Sequence, residues 1–435
     1  MKSAKSIIAY ISILALSFFA ISTYSVNNIF VVLTFLAIIL ICTYHIFSPK
    51  NVIYGLSQIF YIFCLFFLGI APLFQYLSGA VLWGGEPFRD IDFIETNMLI
   101  IMALVTYRYM YNKTFKKPVN IKVINNNQVH PGNISSLLLV IISAVTTIYI
   151  INIFDGQIMA LLIRGKYAET DVVSDGGFSY LINSFFIRPI PAVCFLLYKF
   201  YNGKNLVAEI ILLLLMLLTN APTGMPRFAV AAFYIPVAFL YLKSLKKRHN
   251  FAFLMVIAIV VIFPFLNTFR AAAEGRLISL DMFVSAHFDS YQMFMRVVST
   301  DFITYGRQLL GVIFFFVPRS LWPDKPIGSG YLVAHENGYF FDNLSMNFFG
   351  EGYINFGLIG VILFALFLGY INARMDRKYW KEAGSSRPLF SLIFFEATGM
   401  EFAIMRGALL NILPVLIGYI LMTQIINFVA AKLIK

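Results

Sequence analysis

Residues 28–47 read NIFVVLTFLAIILICTYHIF, a run without one acidic side chain, lysine or arginine. A helix of that length, at about 1.5 Å per residue, covers the roughly 30 Å hydrocarbon core of a bilayer. The run therefore reads as a membrane span, and it sets the class of the chain. Just before it lies MKSAKSIIAYISILALSFFAIS (1–22), which lacks a clear small-x-small cleavage site and reads as an uncleaved first span, not a removed leader. Further apolar runs follow at 52–75, 94–111, 135–154, 179–201, 206–219, 228–242, 251–269, 352–372, 389–405 and 412–430. With 6–24 and 28–47 they predict an all-α polytopic membrane protein of about twelve transmembrane helices.

Composition points the same way. Only 12% of the 435 residues are charged and 60% are hydrophobic, where soluble domains carry about 25% charge. The net charge of +12 does not speak for nucleic acid, because the cations lie between apolar runs, where membrane lipids are the natural partner. Cys42, Cys64 and Cys194 each fall inside an apolar run, far apart, without disulfide or metal-ligand spacing.

Lysine and arginine divide between the two sides. Lys2, Lys5, Lys50, Lys113, Lys116, Lys117, Lys122, Lys204, KSLKKRH (243–249), ARMDRKYWKEAGSSR (373–387) and Lys432 fall on one side of the twelve-span arrangement. The positive-inside rule makes that side cytoplasmic, with both termini inside. Residues 1–269 then hold spans one to nine with short loops, 270–351 form a long external loop, and 352–435 hold spans ten to twelve. Outside, Lys166 and Lys325 stand among Arg89, Arg164, Arg227, Arg270, Arg276, Arg296, Arg307, Arg319 and Arg406. Arginine offers a planar fork matched to phosphate and carboxylate. Salt bridges to Asp171, Asp281 or Asp301, or snorkelling, would account for single members of this set.

Individual segments refine the picture. NAPTGMPRF (220–228) puts Arg227 at a helix start, where free N–H groups and the dipole favour an anion. FIRPIP (186–191) places Arg188 at membrane depth, paired with Glu209, Glu396 or Glu401 or held for function. LLIRGKY (161–167) sets Arg164 beside Lys166, and FLNTFRAAAEGR (265–276) brings Arg270 out one turn before Glu274. In the long loop, DMFVSAHFDSYQMFMRVVSTDFITY (281–305) has the spacing of an interfacial helix. LLGVIFFFVP (309–318) is too short to span and reads as an interfacial or re-entrant helix. It delivers PRSLWPDKPIGSG (318–330), with Arg319 and Lys325 for anions and Trp322 as a platform for a sugar ring. AHENGYFFDN (334–343) adds His335, and FGEGYINFG (349–357) adds Glu351 at the mouth of span ten. Either could take a proton from a hydroxyl, or Glu351 could simply face a helix dipole. P-loop, dinucleotide, HExxH and clustered DxD motifs are absent from the sequence.

An arginine-rich polytopic chain with PRSLWPDKP in a long external loop, followed by GEGYINFGLIG, resembles the Wzy-type O-antigen polymerases. The family's arginine–x10–glycine spacing runs from Arg319 to Gly330; Arg164 to Gly176 is one residue too long for it. The resemblance implies a GT-C-like glycosyltransferase of the bacterial inner membrane with its site facing the periplasm. It would move a growing glycan from undecaprenyl diphosphate onto a lipid-linked repeat unit, with a chain-length regulator as a further partner. On that reading Arg164, Lys166, Arg188, Arg227, Arg270, Trp322 and Lys325 bind substrate, and Arg319, His335 and Glu351 act in catalysis. The donor carries its own glycosyl–diphosphate energy, so neither nucleotide, metal nor other cofactor is expected. An O-antigen ligase and a lipid-linked oligosaccharide flippase are the alternatives.

Overall fold

The structure is a computed structural model describing residues 4–47, 53–115, 135–163, 182–225, 227–246, 250–262, 280–382 and 388–432. Its centre is α3 (Leu56–Ser78), whose apolar side chains point in every direction and are buried throughout. A helix apolar all round has no face to give to water and is stable only inside a bundle. Its middle, Cys64–Ile70, winds as a π-helix.

The helices before and after it are α1 (Ala4–Thr23), α2 (Ile29–Phe47), α4 (Asp90–Phe115), α5 (Ser136–Ile153), α6 (Ile190–Phe200), α7 (Leu206–Thr219), α8 (Arg227–Tyr241) and α9 (Asn250–Ile257), of which α5, α6 and α7 pack on one another in a second core. Three short helices follow, α10 (Ser290–Ser299), α11 (Arg307–Ile313) and α12 (Ser329–Glu336). The chain closes with α13 (Phe348–Glu382), α14 (Pro388–Arg406) and α15 (Leu409–Lys432). Among the described residues there is no strand, and a helix lies over the described part of each of the twelve apolar runs. Among the described residues five helices are long and apolar enough to cross a membrane: Ile29–Phe47, Leu56–Ser78, Ser136–Ile153, Phe348–Lys381 and Leu409–Ala431.

Small residues set the closest helix approaches. A Cβ on Gly369 of α13 would meet the Tyr107 carbonyl of α4 at 2.7 Å, and one on Gly399 of α14 would meet the Ala231 and Ala232 carbonyls of α8 at 2.7 Å. Without a hydrophobic drive between helices in lipid, such contacts supply the packing. The outward faces stay apolar, as at Leu137, Val145, Leu206, Leu214, Ile359 and Phe367, all exposed. That is the surface a bilayer covers.

Two expectations change. Helix α10 does not lie in an interface: Ser290 through Val298 are all buried against α4 and α13. Its arginine can go inside because the donors of Arg296 are satisfied locally. The guanidinium donates to the Tyr339 hydroxyl (2.8 Å) and the Glu86 carbonyl (2.6 Å) and rests 4.1 Å from the Phe88 ring centroid. The apolar run at 309–318 is helical only to Ile313, and turns follow.

The long helix α13 is broken near its N-terminal end. Phe356 (φ −145°) and Gly357 (φ 59°) leave helical geometry, and only glycine takes that left-handed φ without strain. The break leaves carbonyls without partners in the helix, and the preceding segment takes them. Thr304 donates N–H (2.7 Å) and hydroxyl (2.8 Å) to Ile354, and Gly306 N–H (2.9 Å) goes to Asn355.

Candidate functional site

Two pieces of the segment 281–351 carry chemistry. The first is the turn after α11. The Pro318 carbonyl accepts the N–H groups of Leu321 and Trp322 at 3.1 Å, and Lys325 donates its N–H to Trp322 at 3.0 Å. Side chains knit the turn further. Arg319 donates to the carbonyls of Lys325 (2.7 Å) and Pro326 (3.3 Å), Lys325 Nζ to those of Phe315 (2.6 Å) and Val317 (2.9 Å), and Arg307 to that of Asp324 (3.1 Å).

Every one of those acceptors is a neutral carbonyl. Among the described residues no carboxylate lies within 4 Å of Arg307, Arg319 or Lys325. Partial burial, then the Arg319 guanidinium, pull Lys325 below the ordinary lysine range. Arg319 and Lys325 share this turn and Arg307, at the start of α11, bonds to it; Asp324 lies in the same turn but comes within 4 Å of none of the three, and Arg307 and Arg319 are exposed. An arginine has five N–H donors, so Arg319 keeps donors for an incoming anion. Trp322, half-buried, stands in the same turn.

The second piece is a buried polar layer beneath α12. Glu351, wholly enclosed, accepts the Ser329 hydroxyl on one oxygen and the Leu409 N–H on the other, both at 2.9 Å. It therefore joins the starts of α12, α13 and α15, and it serves the N-terminus of α15 as a capping carboxylate. Beside it Asp289 receives Arg406 at 3.0 Å and the Ser345 hydroxyl at 2.6 Å, and Asn347 donates to the Ser290 carbonyl at 2.7 Å. Gly330 has a steric reason to be glycine, since a Cβ there would stand 2.1 Å from the Leu344 carbonyl. His335 sits at the far end of α12, exposed, its ring parallel to that of Tyr331.

The structure brings Arg319, Trp322 and Lys325 into one turn, and ties Glu351 to the helix that carries His335. Arg188 donates to the Thr219 carbonyl at the end of α7 (3.3 Å). Of its expected partners, Glu209 accepts Lys199 (2.7 Å) and Tyr241 (2.6 Å), Glu396 accepts Thr423, and Glu401 accepts Asn372. Arg164, Lys166 and Arg270 lie outside the described residues, as does the Arg227 side chain, although Arg227 begins α8. Sequence reasoning counted Arg307 and Arg406 only as members of a set. The Asp289–Arg406 pair, 117 residues apart, has no local signature. Among the described residues no group of three His, Cys, Asp or Glu could hold a metal ion. Comparison with protein-family models, with curated proteins and with solved structures finds no match for this chain.

Proposed function

We propose that the chain is a GT-C-like membrane glycosyltransferase of about twelve spans, an O-antigen polymerase working on the periplasmic face of the inner membrane. The observation that supports this reading is the turn of Arg319 and Lys325 with Arg307 bonded to it, three cations held by carbonyls and with no carboxylate within 4 Å among the described residues. Its chemistry is that of a site for a concentrated negative charge.

In the proposed reaction an acceptor sugar hydroxyl attacks the anomeric carbon of the donor glycan. The new C–O bond forms as the bond to undecaprenyl diphosphate breaks, and the diphosphate leaves with the electron pair. Arg319, with Lys325 and Arg307, meets that developing charge, the kind of preorganised stabilisation that dominates many enzymes. His335, open to solvent at the end of α12, takes the hydroxyl proton. Glu351, enclosed and with both oxygens occupied, positions α12 and its histidine. Trp322 packs on a sugar. Arg164, Lys166, Arg188, Arg227 and Arg270 are left for the diphosphate of the second lipid-linked unit. The donor needs neither nucleotide nor metal, and a chain-length regulator is a further partner.

The test is the surface glycolipid of a strain lacking the gene, run on a gel beside its complemented parent. A ladder reduced to core plus one repeat unit, restored by the wild type and not by Arg319→Ala or His335→Ala at equal expression, is expected. Lipid-linked polymer that never reaches the core would instead make the chain a ligase. Single units trapped on the cytoplasmic side would make it a flippase.

A further inference from the structure

The end of the bundle away from the cation turn carries a groove for which glycan transfer has no use. Helices α4 and α13 run side by side in the same direction. Tyr111 bonds Asp376 (2.8 Å) and the Arg377 guanidinium reaches the Thr114 carbonyl (3.4 Å), so these residues lie far along α13 from Glu351. At this end Ile41 and His45 of α2 face Leu104, Val105, Arg108, Tyr109 and Asn112 of α4 across a groove of about 350 Å³.

Its lining divides by chemistry. Ile41, Leu104 and Val105 are apolar, and the neighbouring Leu40, Tyr44 and Tyr109 are exposed on the surface that a bilayer covers. Arg108, His45 and Asn112 are donors. Arg108 is half-buried with its guanidinium 5.8 Å from the Tyr111 ring centroid, and among the described residues no carboxylate lies within 4 Å of it. The carboxylate on the facing part of α13, Asp376, is already taken by the Leu56 and Ser57 N–H groups and by Tyr111. Lys113, Arg374, Arg377 and Lys378 share this end of the two helices, so the field around the groove is positive.

A buried-side arginine without an anion, in a positive field, beside an apolar slot that opens to lipid, is complementary to one occupant. We infer that the groove binds an anionic phospholipid of the leaflet at this end. Its phosphate meets Arg108, His45 and Asn112, and an acyl chain runs along Ile41, Leu104 and Val105. Groove volume falls within the roughly 300–1,000 Å³ typical of ligand sites, and polybasic surroundings attract anionic headgroups. The inference needs only a membrane, not the proposed transfer reaction.

Native mass spectrometry of the detergent-purified chain, titrated separately with phosphatidylglycerol, phosphatidylcholine and inorganic phosphate, tests it. Phosphatidylglycerol should be retained in preference to phosphatidylcholine, and inorganic phosphate should not displace it. Arg108→Gln should weaken that binding about tenfold, the worth of one charge-assisted hydrogen bond. Val105→Trp, at an exposed position, should fill the groove and do the same, which keeps the test open if the arginine variant fails to fold. Lys204→Gln, exposed between α6 and α7 and outside the lining, should change binding less than twofold. Equal retention of the two lipids, unchanged binding in Val105→Trp, or displacement by phosphate alone would overturn the assignment.

Discussion

Helix α13 carries a buried carboxylate near each end, and the two make the same bond in different surroundings. At one end Asp376 accepts the N–H groups of Leu56 (2.9 Å) and Ser57 (3.4 Å) at the start of α3, with the Tyr111 hydroxyl at 2.8 Å. At the other, Glu351 accepts Leu409 N–H at the start of α15 and the Ser329 hydroxyl. One turn on from Asp376, Tyr379 and Trp380 pack edge-to-face and tilted with Tyr54, and Trp380 donates to the Tyr54 carbonyl at 2.9 Å. Glu351 is buried, as are Ser329, Ser345, Asn347, Asn355 and Asp289, and its partner Ser329 follows closely on the turn that Arg319 closes onto Pro326. Beside the tyrosines a carboxylate ties the start of α3 to α13 and α4. On the proposed reading the same device at Glu351 holds α12, and with it His335, in place.

The largest effect expected from that contrast is on folding. Asp376→Ala leaves two buried N–H groups and a tyrosine hydroxyl without an acceptor, a loss of about 3–5 kcal/mol. Thermal unfolding in detergent should show it, and an unchanged midpoint would break the comparison. Arg319→Ala should do the reverse. Polymerisation should fall about 10²–10³-fold, as when one donor to a developing charge is removed, with the melting curve moved by less than about 0.5 kcal/mol. A melt as damaged as that of Asp376→Ala would make the cation turn structural. Amide substitutions sharpen the contrast further. At 376 an asparagine must turn its NH₂ toward a backbone N–H, costing about 1–2 kcal/mol. Glu351→Gln can keep its oxygen on Leu409 and donate to the Ser329 hydroxyl, so a cost under about 1 kcal/mol is expected. It should also retain most of the ladder; a stable Glu351→Gln with no polymer would move the proton acceptor from His335 to Glu351.

Much of the helical frame was legible because apolar runs of membrane length have no other stable reading. The twelve runs 6–24 through 412–430 each meet a helix, and Pro189 marks a true break after the π-turn Ile182–Ile187. The outer segment was less legible, because helical spacing says that a face exists and not what covers it. Ser290–Ser299 carries that spacing on a helix buried all round, and only the remote Glu86, Phe88 and Tyr339 make room for Arg296. Arg319, Trp322 and Lys325 could be grouped because they sit within one short stretch. Asp289 and Arg406 could not, since nothing local in either segment names its partner. Glu351 was visible as a helix-start carboxylate, but the helix whose start it serves is α15, 58 residues on.

The break at Phe356–Gly357 divides α13 into two parts held in different ways. From Gly357 the apolar stretch runs only to Asn372 before Arg374, Asp376, Arg377 and Lys378, short of the about 20 residues that cross hydrocarbon. This part lies along α4. The two turns ahead of the break have their end carbonyls met by Thr304 and Gly306 and their carboxylate met by Ser329 and Leu409. They keep their place only with residues 304–329 and α15 beside them. A chain truncated before α15 would leave this end of α13 without the Leu409 bond that anchors its carboxylate.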